Sequence, residues 1–374
     1  MKGYIRKRGS LYSFTVDIGK DPATGKRKQK TKSGFKTKKE AQQALNELVY
    51  EVHKGINVID KESTIKELSL EWFENTKRKW VNTTADTTKH AVERWIIPNL
   101  GFLKIQDITP QHGQRFMAIL IENLATSTVK RVFSLLNQII NYAVDMDIIA
   151  KNPLRKIPNP VERDSDKTTW TFDQIKDFLR VAMIDRPFYH NVCCVAIFTG
   201  MRKGEIFGLR KQDIDFEKSV INIRQSIHET NSHGLEIGGP KTKTSKRTIH
   251  IDNNVVMTLK NQIRRNNELK LALGQHYEDN DLIFCRENGQ PYRPSSINRP
   301  FNRLTKKAGV PQIRFHDLRH THATLLLEIG TNPKLIADRL GHSDVKTTLN
   351  TYSHVTTTMQ EKAMEEFNAA FQIK

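Results

Sequence analysis

A mainly α-helical chain with small β elements is predicted from three observations. Apolar residues recur at helical spacing behind capping residues, at Thr37 with Glu40, Thr64 with Glu67, Thr109-Pro110 and Thr171 with Gln174. Alternating β-type runs are confined to residues 1–39 and to a stretch beginning at Val220. A run rich in proline, Ile157-Pro158-Asn159-Pro160, separates two helical parts, because proline blocks helix and biases the residue before it toward extended backbone. At 374 residues the chain exceeds one ordinary core, which gives a prior of about two or three domains.

The elements follow in order. Leu11 to Ile18 alternates as a strand, Asp21-Pro22-Ala23-Thr24-Gly25 is a turn, and Lys26 to Lys32 returns, dense in cations. With the helix carrying Ala41, Ala44, Leu45, Leu48, Val49 and Val52, this makes a three-stranded sheet plus helix over residues 1–58. Residues 63–155 read as a helical bundle. Leu68, Leu70, Trp72 and Phe73 follow the Thr64 cap, and a longer helix from about Thr128 carries Val132, Leu135, Leu136, Ile139, Ile140 and Ala143 on one face. Residues 156–168 read as a linker, and residues 169–374 as a mixed, mostly helical domain. The β insert expected in it is Val220 to Ile227, then a hairpin containing Lys241-Thr242-Lys243-Thr244-Ser245-Lys246-Arg247-Thr248-Ile249-His250-Ile251. Met359, Ala363, Met364, Phe367 and Phe371 give a terminal amphipathic helix.

Charge narrows the partners. Lys and Arg number 60 against 41 Asp and Glu, for a formal charge of +19, and this favours a polyanion, with nucleic acid ahead of an anionic membrane. Residues 1–39 hold 13 Lys and Arg and, as acids, only Asp17 and Asp21, interleaved with Tyr4, Tyr12, Phe14 and Phe35, so a folded basic unit is expected rather than a disordered tail. Lys77, Arg78, Lys79, Arg94, Lys130 and Arg131 are candidates for backbone phosphates. The strongest apolar run, Val192 to Phe198, is far short of the roughly 20 residues that cross a bilayer. Met1-Lys2-Gly3-Tyr4-Ile5-Arg6 has no signal-peptide core, so a soluble, intracellular protein is expected. Cys193, Cys194 and Cys285 form no C-x-x-C and read as incidental buried thiols.

Three distant stretches carry the chemistry: Thr199-Gly200-Met201-Arg202-Lys203-Gly204-Glu205, His316-Asp317-Leu318-Arg319-His320, and Leu340-Gly341-His342 with Tyr352 beyond. Paired guanidiniums grip the non-bridging oxygens of a phosphate, and a tyrosine hydroxyl is a nucleophile able to form a phosphoester. Phosphoryl transfer without a metal is the reading. His316, His320 and His322 bring no Glu or Cys in a known ligand spacing, so a metal site is not expected.

These motifs, in this order, resemble the tyrosine recombinase family, the integrases of phages and integrative elements, over essentially the whole chain. The resemblance implies an arm-type DNA-binding domain (1–58), a helical core-binding domain (63–155) and a catalytic domain (169–374). It implies that Arg202 and Arg319 hold the scissile phosphate, that His316 and His342 assist by hydrogen bonding and proton handling, and that Tyr352 attacks phosphorus. It makes Lys241 the lysine that protonates the leaving 5′ oxygen, with Lys243 as rival. Glu205 would orient a catalytic group, while Asp317 and His320 would fix the geometry of their motif. No cofactor and no metal are implied. The implied partners are double-stranded DNA at arm and core sites, a homotetramer linked through the terminal helix, an excision factor and a host DNA-bending protein, in the cytoplasm of a bacterial cell at the nucleoid. The expected function is integration or excision of a mobile element through a 3′-phosphotyrosyl intermediate. A resolvase or topoisomerase-like enzyme of the same chemistry and a non-catalytic DNA-binding regulator are the alternatives.

Overall fold

A computed structural model of the chain describes residues 3–20, 27–53, 63–161, 168–230, 232, 234–239, 246–342, 364 and 368. The chain divides into two compact units, Met1–Arg163 and Asp164–Lys374.

In the first unit, β1 (Gly3–Arg8), β2 (Leu11–Lys20) and β3 (Arg27–Phe35) form an antiparallel sheet in the order β1-β2-β3, followed by α1 (Lys38–His53). The folded reading of the basic segment holds: Phe14, Val16 and Leu45 form a small core of their own, and Phe14 stacks on Phe35 with ring centroids 5.6 Å apart. Because strand residues alternate, the opposite face carries the cross-strand rows Tyr4, Thr15, Thr31 and Arg6, Ser13, Ser33.

The bundle begins at α2 (Ile65–Thr76), where Thr64 and Glu67 cap reciprocally as expected. It continues through α3 (Asn82–Ala91), a π turn at Val92–Ile96, α4 (Ile97–Leu100), α5 (Pro110–Asn123) and α6 (Thr126–Asp145). The α6 helix starts two residues before the expected Thr128, and its whole predicted stripe is buried. The linker reading needs amendment at its start. Leu154 is fully buried, Ile157 packs on the bundle core, and a Cβ on Gly113 of α5 would stand 2.5 Å from Ile157, so this turn closes the bundle before the chain leaves it.

The second unit opens with Trp170, whose indole donates to the Pro311 carbonyl at 2.8 Å, and then α7 (Phe172–Asp185), capped by Thr171 and Gln174. The apolar run identified in the sequence is the heart of α8 (Pro187–Thr199), where Val192 to Ile197 are all buried, Cys193 and Cys194 among them. Cys285 is also free and buried.

After α9 (Lys203–Phe207) come β4 (Ile214–Asp215), β5 (Val220–Ile223), β6 (Ser226–Thr230), β7 (Gly234–Gly238) and β8 (Arg247–His250). The expected continuous strand Val220 to Ile227 is two strands in two sheets: β5 lies between β4 and β8, whereas β6 pairs with β7. The reason is close backbone packing. A Cβ on Gly204 would stand 2.5 Å from the Ile227 carbonyl oxygen and one on Gly208 3.2 Å from the Ser226 Cα, so two glycines of α9 and its exit draw β6 out of line with β5. β8 does not pair with β7 but returns to β5, and Lys241 and Lys243 lie between β7 and β8, outside the described residues. The unit ends with α10 (Asn253–Leu273), α11 (Asn298–Ala308), α12 (Asp317–Glu328) and α13 (Pro333–Leu340). Of the expected terminal helix only Met364 and Asn368 are described. Among the described residues no helix is long and apolar enough to cross a membrane.

Candidate active site

Two glycine exits build the site. Gly200 closes α8 at φ +65°, in the left-handed region that glycine adopts without penalty, and a Cβ there would stand 2.6 Å from Leu340 and 2.7 Å from His322. The sharp exit lets Arg202 begin α9, where Glu205 reaches back to accept from the Arg202 amide at 2.9 Å. Gly341 closes α13 at φ +68°, with its own amide bonded to the Asp338 carbonyl at 3.0 Å and that of His342 to the Ala337 carbonyl at 2.9 Å. This double closure leaves the next carbonyls of the helix, those of Arg339, Leu340 and Gly341, for other donors.

Arginines take them. Arg319, 4% exposed on α12, donates from Nη2 to the Leu340 carbonyl at 2.6 Å and from Nη1 to the Gly200 carbonyl at 2.8 Å, tying the first and third motifs together. Arg202 donates from Nη2 to the Gly341 carbonyl at 3.2 Å and from Nη1 to Glu205 Oε1 at 2.9 Å, while its side chain stays 36% exposed. Arg247, a side chain that sequence reading did not single out, donates from Nε to the Arg339 carbonyl at 2.7 Å and grips both Glu205 oxygens, Oε1 at 3.0 Å and Oε2 at 2.8 Å. Burial alone would raise the Glu205 carboxyl, but Arg247 and then Arg202 outweigh it and hold it below its ordinary value.

The histidines complete the cluster. His316 stands just before α12, its ring edge-on to that of His320 at 5.6 Å. Burial, then the charges of Arg319 and Arg202, depress its pKa. His342 is pushed down to about 4 by burial and by Arg319, Arg202, His320 and Arg247. Both rings are therefore neutral at pH 7 and able to donate from one nitrogen and accept at the other. Asp317 accepts from the Arg314 amide at 2.9 Å and from its guanidinium at 3.0 and 2.8 Å, so it holds the turn into α12, as expected.

His322 has a structural task that the sequence did not point to. It is buried beneath the site, with Nδ1 bonded to the Ile197 carbonyl at 2.8 Å and Nε2 accepting from Arg339 Nε at 3.1 Å, and its pKa is pushed down to about 3. Arg339 also donates to the carbonyls of Phe198 and His250, both at 2.9 Å. Together they cap the end of α8 that carries the first motif. No His/Cys/Asp/Glu group suited to a metal occurs among the described residues. Tyr352 and the lysines lie outside those residues, whereas Arg202, His316, Arg319 and His342 come together.

Residues 169–359 match the phage integrase family, which covers just over half of the chain. The chain belongs to that family, the tyrosine recombinases. Residues 4–52 match an arm DNA-binding domain and 64–121 the N-terminal SAM-like domain of phage integrases. The chain is 31% identical to a XerC-like tyrosine recombinase of Caldanaerobacter subterraneus subsp. tengcongensis, over 98% of each chain. It is 26% identical to the ICEBs1 integrase of Bacillus subtilis over 96% of each. Its fold is similar to that of the Tn1549 transposon integrase solved with a circular intermediate DNA, with a TM-score of 0.70 over 82% of this chain and 99% of that one at 22% identity. A λ integrase tetramer bound to a Holliday junction gives a TM-score of 0.57 over 93% and 94% at 17% identity. The recombinase is thus an enzyme of site-specific DNA strand cleavage and rejoining.

Proposed function

We propose that this recombinase moves a mobile element into and out of a chromosome, with Tyr352 as nucleophile and Arg202, Lys241, His316, Arg319 and His342 as the groups that serve it. The observation that carries this reading is the convergence of Arg202, Arg319 and His342 on the end of α13, with His316 under the charges of both arginines and His342 ten residues before Tyr352. The Tyr352 hydroxyl passes its proton to a neutral histidine of the site, His316 or His342, as its oxygen forms a bond to phosphorus and the bond to the 5′ oxygen breaks, leaving a 3′-phosphotyrosyl link and a 5′-hydroxyl whose proton comes from Lys241. Arginines that remain charged at any working pH stabilise the equatorial oxygens, and a lysine supplies the proton that arginine cannot. The new ester is close in energy to the old one, so a 5′-hydroxyl from a second duplex reverses the step without ATP.

In this reading residues 1–58 bind arm-type sites, 63–155 bind the core site, 156–168 link them to the catalytic domain, and 169–374 cut. The face carrying Tyr4, Arg6, Thr15 and Thr31 is the arm unit's contact surface. Four protomers act on two duplexes in the bacterial cytoplasm, with an excision factor and a DNA-bending host protein choosing direction. The relatives' mobile elements and the DNA complexes of the similar structures support this reading. The test incubates wild type and Tyr352→Phe, in chelator, with attachment-site DNA nicked just beyond the cleavage point. A detergent-resistant protein–DNA adduct is expected with wild type and none with the variant. Tight binding by wild type with no adduct would overturn the proposal.

A further inference from the structure

We infer that Arg247 is a positioning residue for Arg202, acting through Glu205. The inference rests on the phosphate-gripping role proposed above for Arg202. Three guanidiniums meet three consecutive carbonyls at the end of α13: Arg247 that of Arg339 at 2.7 Å, Arg319 that of Leu340 at 2.6 Å, and Arg202 that of Gly341 at 3.2 Å. The negative end of a helix dipole suits such a set. The three differ in exposure. The Arg247 side chain is 6% exposed, with Nε on the Arg339 carbonyl and both terminal nitrogens on Glu205, whereas the Arg202 side chain is 36% exposed.

Charge explains why Arg247 is there. Glu205 alone beside Arg202 would cancel the positive charge a phosphate needs. Arg247 grips both oxygens of Glu205 end-on, through its two terminal nitrogens, and leaves the three groups with one net positive charge, carried outward by Arg202. Geometry gives a second reason. Glu205 Oε1 accepts from Arg247 Nη1 and Arg202 Nη1, and Oε2 from Arg247 Nη2 and the Arg202 amide, so a carboxylate fixed by β8 fixes both ends of Arg202. A lysine at position 247 would keep the charge and lose the planar fork.

The experiment uses the full chain as Arg247→Lys, Arg202→Lys and the double variant, with core-site affinity and single-turnover cleavage of nicked DNA measured for each. Arg247→Lys is expected to bind core DNA within about threefold of wild type and to cleave at least about tenfold more slowly, equivalent to about 1.4 kcal/mol in the barrier. In the Arg202→Lys background the same change is expected to slow cleavage by less than about threefold, because its route of action is already gone. Equal factors in both backgrounds would overturn the inference, as would wild-type cleavage by Arg247→Lys or its failure to bind core DNA, which would make Arg247 a folding residue only. Wild-type cleavage by Arg202→Lys alone would instead overturn the proposed role of Arg202.

Discussion

Replacing Glu205 by glutamine tests the electrostatics of the site most directly. Glu205 is 3% exposed and accepts from two guanidiniums and one amide. Its bond to Arg247 is buried on both sides, and uncoupling one partner of such a pair costs about 3–5 kcal/mol because the other charge is left uncompensated. The bond to Arg202 adds little, on the order of 1 kcal/mol or less, because solvent screens a guanidinium that is a third exposed. A loss of about 3–5 kcal/mol in a unit of this size corresponds to about 6–20 °C in its unfolding midpoint. Since the chain has two units, the readout must be local: hydrogen exchange on heating, followed in peptides over α9 and β8, with α6 of the first unit as the unchanged reference. The folded-state pKa of Glu205 is depressed, so its stabilisation is complete above the unfolded value and is lost as pH falls through the folded one. Wild type and Glu205→Gln should therefore converge in acid. A shift of less than about 1 °C at pH 7, or an equal shift in α6, would refute the reasoning.

Other outcomes follow from the same geometry. The folded pKa of His342, about 4, lies below its unfolded value, so the unfolded chain takes up more protons and wild-type stability falls as pH drops from about 6.5 to about 4; His342→Asn should flatten that slope in urea titrations at stepped pH. Gly200→Ala meets both a left-handed backbone and contacts of 2.6 and 2.7 Å, and should lower stability of the second unit by about 2–5 kcal/mol, measured by its urea midpoint. His322→Phe removes the acceptor of Arg339 Nε and should cost about 1–3 kcal/mol, with faster hydrogen exchange at the end of α8 as the check. DNA affinity should fall steeply with salt, with a log–log slope set by on the order of six to ten phosphates; a flat titration would contradict the basic-surface argument.

Local signals were legible where the physics is local. The capping pairs at Thr64, Thr109 and Thr171 fix helix starts through hydrogen bonds spanning three residues, and those starts are as expected. The α6 start lies two residues ahead of the expected one because its N-cap, Ala125, makes no side-chain hydrogen bond and so leaves no signal in the sequence. The divided strand at Val220 to Ile227 was not legible, because the division comes from glycines of α9 pressing on β6, a contact between elements. Arg247 is illegible in the sequence for the same reason: on β8 it is one cation among many, and only its distance to Glu205 sets it apart.

By itself, then, the sequence determined the helical class, the basic first segment and the motifs that mark a tyrosine recombinase, because these depend on residue type and short spacing. Only the tertiary structure decided which groups share the charge of Glu205, why Gly200 admits no side chain, and that His322 supports the site from beneath. Those depend on where the ends of α8 and α13 meet α12 and β8, a long-range packing that no spacing along the chain encodes.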